Sequence, residues 1–134
     1  MKQRIRIVER KKDNKIINKT FEFSLSLIEL YIFLLKNNEF EYSEKILKSG
    51  TSIRENVEQS LAAITNEDFL AKLSLAFKDA VETRYWLKHL QMKNLISTSC
   101  DECVDQINEI INTLSYMTQS CSRYNIQLNI QNLN

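Results

Sequence analysis

The 134-residue chain has no proline, a single glycine, Gly50, and a single histidine, His89. Without proline and glycine, the chain lacks the residues that form the tight turns of β-sandwiches and barrels. One histidine cannot supply the paired imidazoles of a helical zinc site, and one glycine cannot build a phosphate-binding loop. The composition therefore favours helices joined by short polar links in a single domain.

No apolar run approaches the roughly 20 residues that cross a bilayer, and no signal-type apolar block follows the N-terminal charges. We therefore expect a cytoplasmic protein that does not enter the membrane. The net charge of +1 gives no overall attraction to nucleic acid. Residues 1–19 nevertheless carry eight basic and two acidic residues. This basic leader either contacts phosphate or is a solvated, partly disordered terminus.

The three cysteines are an odd number, which favours reduced thiols over a disulfide framework. Cys100 and Cys103 have the C-x-x-C spacing of zinc sites and redox dithiols, but no second ligand pair accompanies them. His89 is also the only histidine through which a nucleophilic triad could work. We predict no metal, no cofactor, no small-molecule substrate and no enzymatic activity.

Four segments have apolar residues at alternating steps of three and four, the spacing that lines one face of a helix. The stripes are Phe23, Leu27, Leu30, Leu34; Ile46, Gly50, Ile53, Val57, continued by Leu61 and Ile64; Phe69, Leu73, Ala76, Ala80, Thr83, Leu87, Leu90; and Val104, Ile107, Ile111, Leu114. This pattern predicts an all-α, four-helix bundle over residues 20–120, with residues 121–134 as a tail.

Polar residues mark the expected helix ends. Thr20 is a candidate N-cap for the first helix, and Asn37-Asn38 ends it. Thr65 caps the third helix, which we expect to run to about Lys93. The stretch Ser99-Cys100-Asp101-Glu102 has the form of a capping box for the last helix.

Gly50 lies on the apolar stripe of the second segment, within Ser49-Gly50-Thr51-Ser52. An exposed glycine inside a helix costs roughly 1 kcal/mol relative to alanine. On the inward face it instead permits close approach of a neighbouring helix, and we predict that role for it. The flanking hydroxyls can bond to the preceding turn or to another helix. The alternative is a helix break at this point.

The first and third segments carry more apolar surface than one seam can bury, which predicts self-association. Aromatic residues left over from a core are enriched at protein interfaces. The candidate interface residues are Ile28, Tyr31, Phe77, Tyr85 and Trp86.

The stretches "LKSGTSIRENVEQS" and "DFLAKLSLAFKDAVETRYWLKHL", with "TFEFSLSLIELYIFL" before them, resemble the proteins encoded in intervening sequences of bacterial 23S ribosomal RNA genes. That group is related to the accessory variability protein of diversity-generating retroelements. The resemblance runs from about Phe21 to Leu90. It implies an antiparallel up-down bundle and assembly as a ring-like pentamer. A twofold dimer, which needs only one self-complementary patch, is the simpler rival. Many members have a Gly-Ala pair where this chain has Arg54-Glu55.

The resemblance also implies a non-catalytic protein associated with RNA or DNA, and the alternative is a purely protein-protein scaffold. The candidate nucleic-acid contacts are Lys48, Arg54, Lys72, Lys78, Arg84 and Lys88. Ordinary ion pairs could instead explain much of this charge. The expected pairs are Lys72 with Asp68, Lys78 with Glu82, and Arg84 with Glu55 or Glu58.

Overall fold

The computed structural model describes the backbone of residues 2–93 and 98–133, and the side chains of residues 15–93 and 100–123. Four helices make up this part of the chain: α1 (Lys2–Lys36), α2 (Phe40–Leu61), α3 (Asn66–Met92) and α4 (Thr98–Leu133). The described residues contain no β-strand. The predicted all-α, four-helix class is confirmed.

Each helix packs against its neighbours in chain order, and α1 also packs against α4, which closes the bundle. Side-chain hydrogen bonds show the direction of the helices. On α2 and α3, Ser49 pairs with Thr83 and Asn56 with Asp79, so rising numbers on one helix meet falling numbers on the other. The links between helices are short, and the bundle is antiparallel, with α1 diagonal to α3 and α2 diagonal to α4.

The apolar stripes predicted from spacing form the core of the bundle. Every residue of the α1, α3 and α4 stripes is buried, and so are Ile46, Gly50, Ile53 and Val57 on α2. The core continues beyond the predicted stripes through Ile16, Ile110 and Met117. The continuation of the α2 stripe to Ile64 is wrong, because the helix ends at Leu61 and Ile64 is 86% exposed.

Thr20 is not an N-cap, because α1 begins at Lys2. The threonine is buried inside the helix, and its Oγ1 donates to the carbonyl oxygen of Ile16 at 2.9 Å. Ile16 is fully buried, so the inward face of α1 extends upstream of the boundary placed between residues 19 and 20. A threonine can lie inside a helix when its hydroxyl donates to a carbonyl oxygen of the preceding turn, as the hydroxyl of Thr20 does. The side chains of residues 1–14 lie outside the described residues.

The other predicted ends hold where the structure describes them. The Thr65 Oγ1 accepts from the backbone N–H of Asp68 at 3.1 Å, which confirms the cap of α3. Helix α3 ends at Met92, and α1 ends at Lys36. Asn38 then has a φ of 60°, a left-handed conformation that asparagine tolerates. The side chain of Ser99 in the predicted capping box lies outside the described residues.

Candidate interaction surfaces

Gly50 lies at a close contact between α2 and α1. A Cβ atom added there would lie 2.6 Å from Cδ2 of Leu27, a buried core residue. Helix α2 is unbroken through this position, so the interpretation of a loop at residues 49–52 is wrong. The predicted bonding of the flanking hydroxyls is confirmed. Ser49, Thr51 and Ser52 each donate to the carbonyl oxygen four residues earlier.

Five large apolar side chains form an outward stripe on α1. They are between 36% and 53% exposed, and they recur at steps of four and three: Phe21, Leu25, Ile28, Ile32 and Leu35. The first four precede the core residues Phe23, Leu27, Leu30 and Leu34 by two positions each. Two residues turn an α-helix through about 200°, so this stripe points away from the core. Helix α1 is therefore apolar on two opposite faces.

Helix α3 also exposes apolar side chains, although less continuously. Leu75, Val81, Tyr85 and Met92 are at least 36% exposed and alternate with polar residues such as Lys78 and Glu82. Since α3 is diagonal to α1 in the bundle, its outer surface lies on the opposite side of the molecule from the stripe on α1. The chain thus carries two different apolar outer faces.

The predicted interface residues divide into two groups. Ile28 and Tyr85 are about half exposed, on α1 and α3 respectively. Tyr31, Phe77 and Trp86 are only partly exposed, and the last two pack against the core of their own bundle. Phe21 and Leu25 were missed. Their signal was present in the sequence as the core spacing of α1 displaced by two residues.

The six candidate nucleic-acid contacts lie on several sides of the bundle. The Arg54 guanidinium lies 5.2 Å from the ring of Phe21 on α1, whereas Arg84 donates to Oδ1 of Asn108 on α4 at 3.3 Å. Lys48 lines a groove between α2 and α3. Lys78 and Lys88 are exposed on α3, and Lys72 is partly exposed. On one subunit these residues do not form a single basic surface.

The expected ion pairs differ from those in the structure. Within the described residues, Lys72, Lys78 and Lys88 are absent from every ion pair, so the predicted Lys72–Asp68 and Lys78–Glu82 pairs are wrong. Arg84 forms a hydrogen bond with Asn108 and no ion pair with Glu55 or Glu58. Glu58 instead pairs with Arg54 on the same helix, at 3.0 Å. Three lysines of α3 therefore form no ion pair within the described residues.

A groove of about 310 Å³ lies between the side chains of α2 and α3. On the α2 side it is lined by Lys45, Lys48, Ser49 and Ser52. The α3 side contributes Asp79, Glu82 and Trp86. The hydrogen bond from Thr83 Oγ1 to Ser49 Oγ, 2.8 Å long and buried, ties the two helices together beneath it. Both signs of charge therefore line one cavity.

Trp86 belongs to an aromatic cluster at one end of this groove. Its ring lies 5.0 Å from that of Tyr85 and 6.0 Å from that of Tyr42, both edge to face. His89 completes the cluster, 5.7 Å from Trp86. The Lys45 Nζ sits 4.2 Å above the centre of the Trp86 ring, a cation–π contact. The Trp86 Nε1 is buried without a hydrogen-bond partner.

Asp79 at the other end of the groove is partly desolvated. Burial raises the pKa of its carboxyl group above the usual value, and the negative charge of Glu82 adds to that rise. The hydrogen bond from Asn56 Nδ2 to its Oδ2, 2.8 Å long, acts in the opposite direction. The carboxylate would gain from an additional cationic partner.

The C-x-x-C pair lies inside the bundle, not at an accessible site. Cys100, Cys103 and Cys121 are not joined by disulfide bonds, and all three are buried. Burial raises the pKa of Cys100 to about 11 and that of Cys103 to about 12. Such thiols are protonated at neutral pH, and the thiolate is the form that reacts and binds metal. These two cysteines therefore pack as small apolar residues.

The described residues contain neither a metal site nor a membrane-spanning helix. No group of three or more His, Cys, Asp or Glu side chains is arranged to hold a metal ion among the described residues. Within the same residues, no helix has an apolar stretch with few charges that is long enough to cross a bilayer.

These contacts define an antiparallel four-helix bundle with an apolar outer face. The chain belongs to the 23S rRNA-intervening sequence protein family, whose model matches residues 12–119. It is similar to the crystal structure of a protein with unknown function from the S23 ribosomal protein family from Bacteroides thetaiotaomicron VPI-5482. The two share 34% identity and a TM-score of 0.75, over 81% of this chain and 98% of that one. A search of the curated proteins finds no match.

Proposed function

We propose that this protein is a non-catalytic, self-associating scaffold whose assembly is held by the outward stripe of α1. That stripe, from Phe21 to Leu35, is the observation that carries the proposal. It presents five large apolar side chains on one continuous helical face, and contiguous apolar patches on soluble proteins mark interaction sites. The partner we assign to it is a second copy of the chain.

A helix with apolar residues on two faces fits a position between its own core and a neighbouring subunit. The partly apolar outer face of α3 lies on the opposite side of the bundle, where it can receive the α1 stripe of the next copy. Two different contact faces make a heterologous interface, which can close into a ring. The expected assembly is a pentamer, and a twofold dimer is its rival. The three cysteines, which form no disulfide bond with one another, fit the reducing conditions of the cytoplasm.

Charge placed in the centre of the stripe tests the assembly. We expect the Leu25→Glu and Ile28→Glu variants to fall to the mass of one chain in light scattering at micromolar concentration. Ile64→Glu is the matched control, because Ile64 is an isoleucine that is 86% exposed in the link between α2 and α3. The proposal fails if the parent protein is a monomer, or if both stripe variants keep the parent mass.

Nucleic-acid binding is the second candidate function, and the unpaired lysines of α3 favour it. Lys78 and Lys88 are exposed without an ion pair among the described residues, so their charges are available to phosphate. A ring would repeat them on every subunit and raise the strength of a weak contact through multivalency.

A labelled RNA oligonucleotide and the purified protein provide the test. We expect a shift that weakens as salt rises, since bound lysines release counterions from phosphate. A Lys78→Ala and Lys88→Ala double variant should bind more weakly and with a shallower salt slope. Lys45→Ala is the control, because Lys45 is already paired with Glu41 at 3.4 Å. Unchanged RNA binding by the double variant would exclude these two lysines as nucleic-acid contacts.

A further inference from the structure

The groove between α2 and α3 is divided by charge along its length. Because the two helices are antiparallel, Lys45 and Lys48 lie at the end occupied by Trp86. Ser52 and Asp79 lie toward the other end. Seven residues separate Lys45 from Ser52 on α2, which is about 10 Å along a helix. The groove is cationic at one end and anionic at the other.

Several polar groups in the groove have binding capacity to spare. Lys48 and Glu82 make no ion pair within the described residues. Asp79 uses one carboxylate oxygen, Oδ2, to accept from Asn56. The indole N–H of Trp86 is buried and has no acceptor.

The charge pattern selects the kind of ligand. A phosphate-rich strand would be repelled by Asp79 and Glu82, and a purely cationic ligand would be repelled by Lys45 and Lys48. A ligand that carries one charge of each sign, separated by an extended chain, satisfies both ends. The terminal residue of a peptide that ends in arginine has this form. Its carboxylate can accept from a lysine ammonium group, and its guanidinium forms bidentate bonds with carboxylates.

We propose that the groove binds the C-terminal arginine of a partner peptide. The terminal carboxylate lies against Lys48, at the end of the groove that Lys45 and Trp86 also line. The guanidinium lies against Asp79 and Glu82. This assigns a peptide-binding site to the scaffold, on a surface distinct from the outward stripe of α1.

Intrinsic fluorescence provides a direct measurement, because Trp86 is the only tryptophan of the chain. The full-length protein is titrated with acetyl-Gly-Gly-Gly-Arg as the free acid, with the same peptide as its C-terminal amide, and with a free-acid peptide that ends in alanine. We expect a saturable change with the first peptide and affinities about tenfold or more weaker for the other two, since each lacks one charge-assisted contact.

Two variants separate the ends of the groove. Lys48→Gln should lower the affinity for the free acid toward that of the amide, while leaving the amide unchanged. Glu82→Gln should lower the affinity for the arginine peptide toward that of the alanine peptide. Lys36→Gln is the control, because Lys36 is an exposed lysine at the end of α1, outside the groove. Circular dichroism and light scattering on the same samples separate loss of binding from loss of folding or assembly.

The proposal is overturned if the fluorescence is unchanged at millimolar peptide, or if the acid and amide bind equally. Free arginine that binds as tightly as the peptide would assign the groove to an amino acid instead. Displacement of the bound peptide by a single-stranded RNA oligonucleotide, lost in the Lys48→Gln variant, would assign it to nucleic acid. Either result replaces the peptide.

Discussion

Gly50 shows how one residue sets the distance between two helices. The Leu27 side chain occupies the space into which a Cβ at position 50 would project, at 2.6 Å from Cδ2. A contact this short requires a shift, but the clashing atom is the end of a flexible side chain. Alanine also gains roughly 1 kcal/mol over glycine in a helix interior. The two effects therefore oppose each other in Gly50→Ala.

We expect Gly50→Ala to leave the free energy of unfolding within about 1 kcal/mol of the parent, because propensity offsets the shift of Leu27. Gly50→Leu should cost about 1 to 3 kcal/mol through overpacking. Urea denaturation at fixed protein concentration gives both values, since self-association makes apparent stability depend on concentration.

A double-mutant cycle isolates the contact itself. In a Leu27→Ala background the obstacle is gone, so Gly50→Ala should stabilise by about 1 kcal/mol, the full propensity gain. If the alanine gives the same gain in both backgrounds, Leu27 does not limit the space at position 50. That result would also remove our reason for the glycine on this face.

At the scale of the helix, the first turns of α4 hold a pair of thiols that should couple stability to alkaline pH. Burial raises the pKa of Cys103 to about 12, whereas an exposed thiol titrates near 9. Below pH 9 the thiol is protonated in both the folded and the unfolded state, so its full contribution to the stability of the fold is present. As pH rises toward 12, the unfolded state loses the proton first, so stability falls.

We therefore expect the stability advantage of the parent over Cys103→Ala to shrink between pH 8 and pH 10.5, by about 2 kcal/mol. Comparing the two proteins cancels the titration of the tyrosines and lysines that they share. Urea denaturation in the presence of a reductant gives the difference at each pH. An advantage that is the same at both pH values would mean that the folded protein exposes this thiol to solvent.

The helices also show which features the sequence could and could not predict. The spacing of apolar residues predicts all four helices and their inward faces. Each helix buries one apolar stripe, and that stripe can be recognised in the sequence. Thr20 was misplaced because a threonine can either cap a helix or bond back within one, as its Oγ1 does to Ile16. Only packing distinguishes the two, and fully buried Ile16 shows that α1 continues upstream.

The surfaces were less predictable than the core, because charge pairing and grooves depend on how helices meet. The sequence offered Glu82 four residues from Lys78, yet the two form no ion pair, and exposed pairs of this kind contribute little. The groove on α2 and α3 places Lys48 near Trp86, residues 38 positions apart in the sequence. That juxtaposition follows from the register of two antiparallel helices, which Ser49 and Thr83 fix.

At the scale of the whole molecule, the two apolar outer faces decide how copies can assemble. The outward stripe of α1 and the outer face of α3 lie on opposite sides of the bundle and differ in composition. A twofold dimer needs one self-complementary patch, for which the stripe of α1 alone would suffice. A ring needs both faces on every subunit, because each interface joins the α1 side of one copy to the α3 side of the next.

Mixing two variants distinguishes these arrangements. Ile28→Glu removes the α1 face, and a Val81→Glu and Tyr85→Glu double variant removes the α3 face. If the assembly is a ring, each variant alone is a monomer. In a mixture, however, the intact α3 face of Ile28→Glu can bind the intact α1 face of the double variant. We therefore expect equal amounts of the two to form a complex of two chains that stops there, measured by native mass spectrometry. In the twofold dimer the α3 variant keeps the parent mass, and mixing with Ile28→Glu adds no new species.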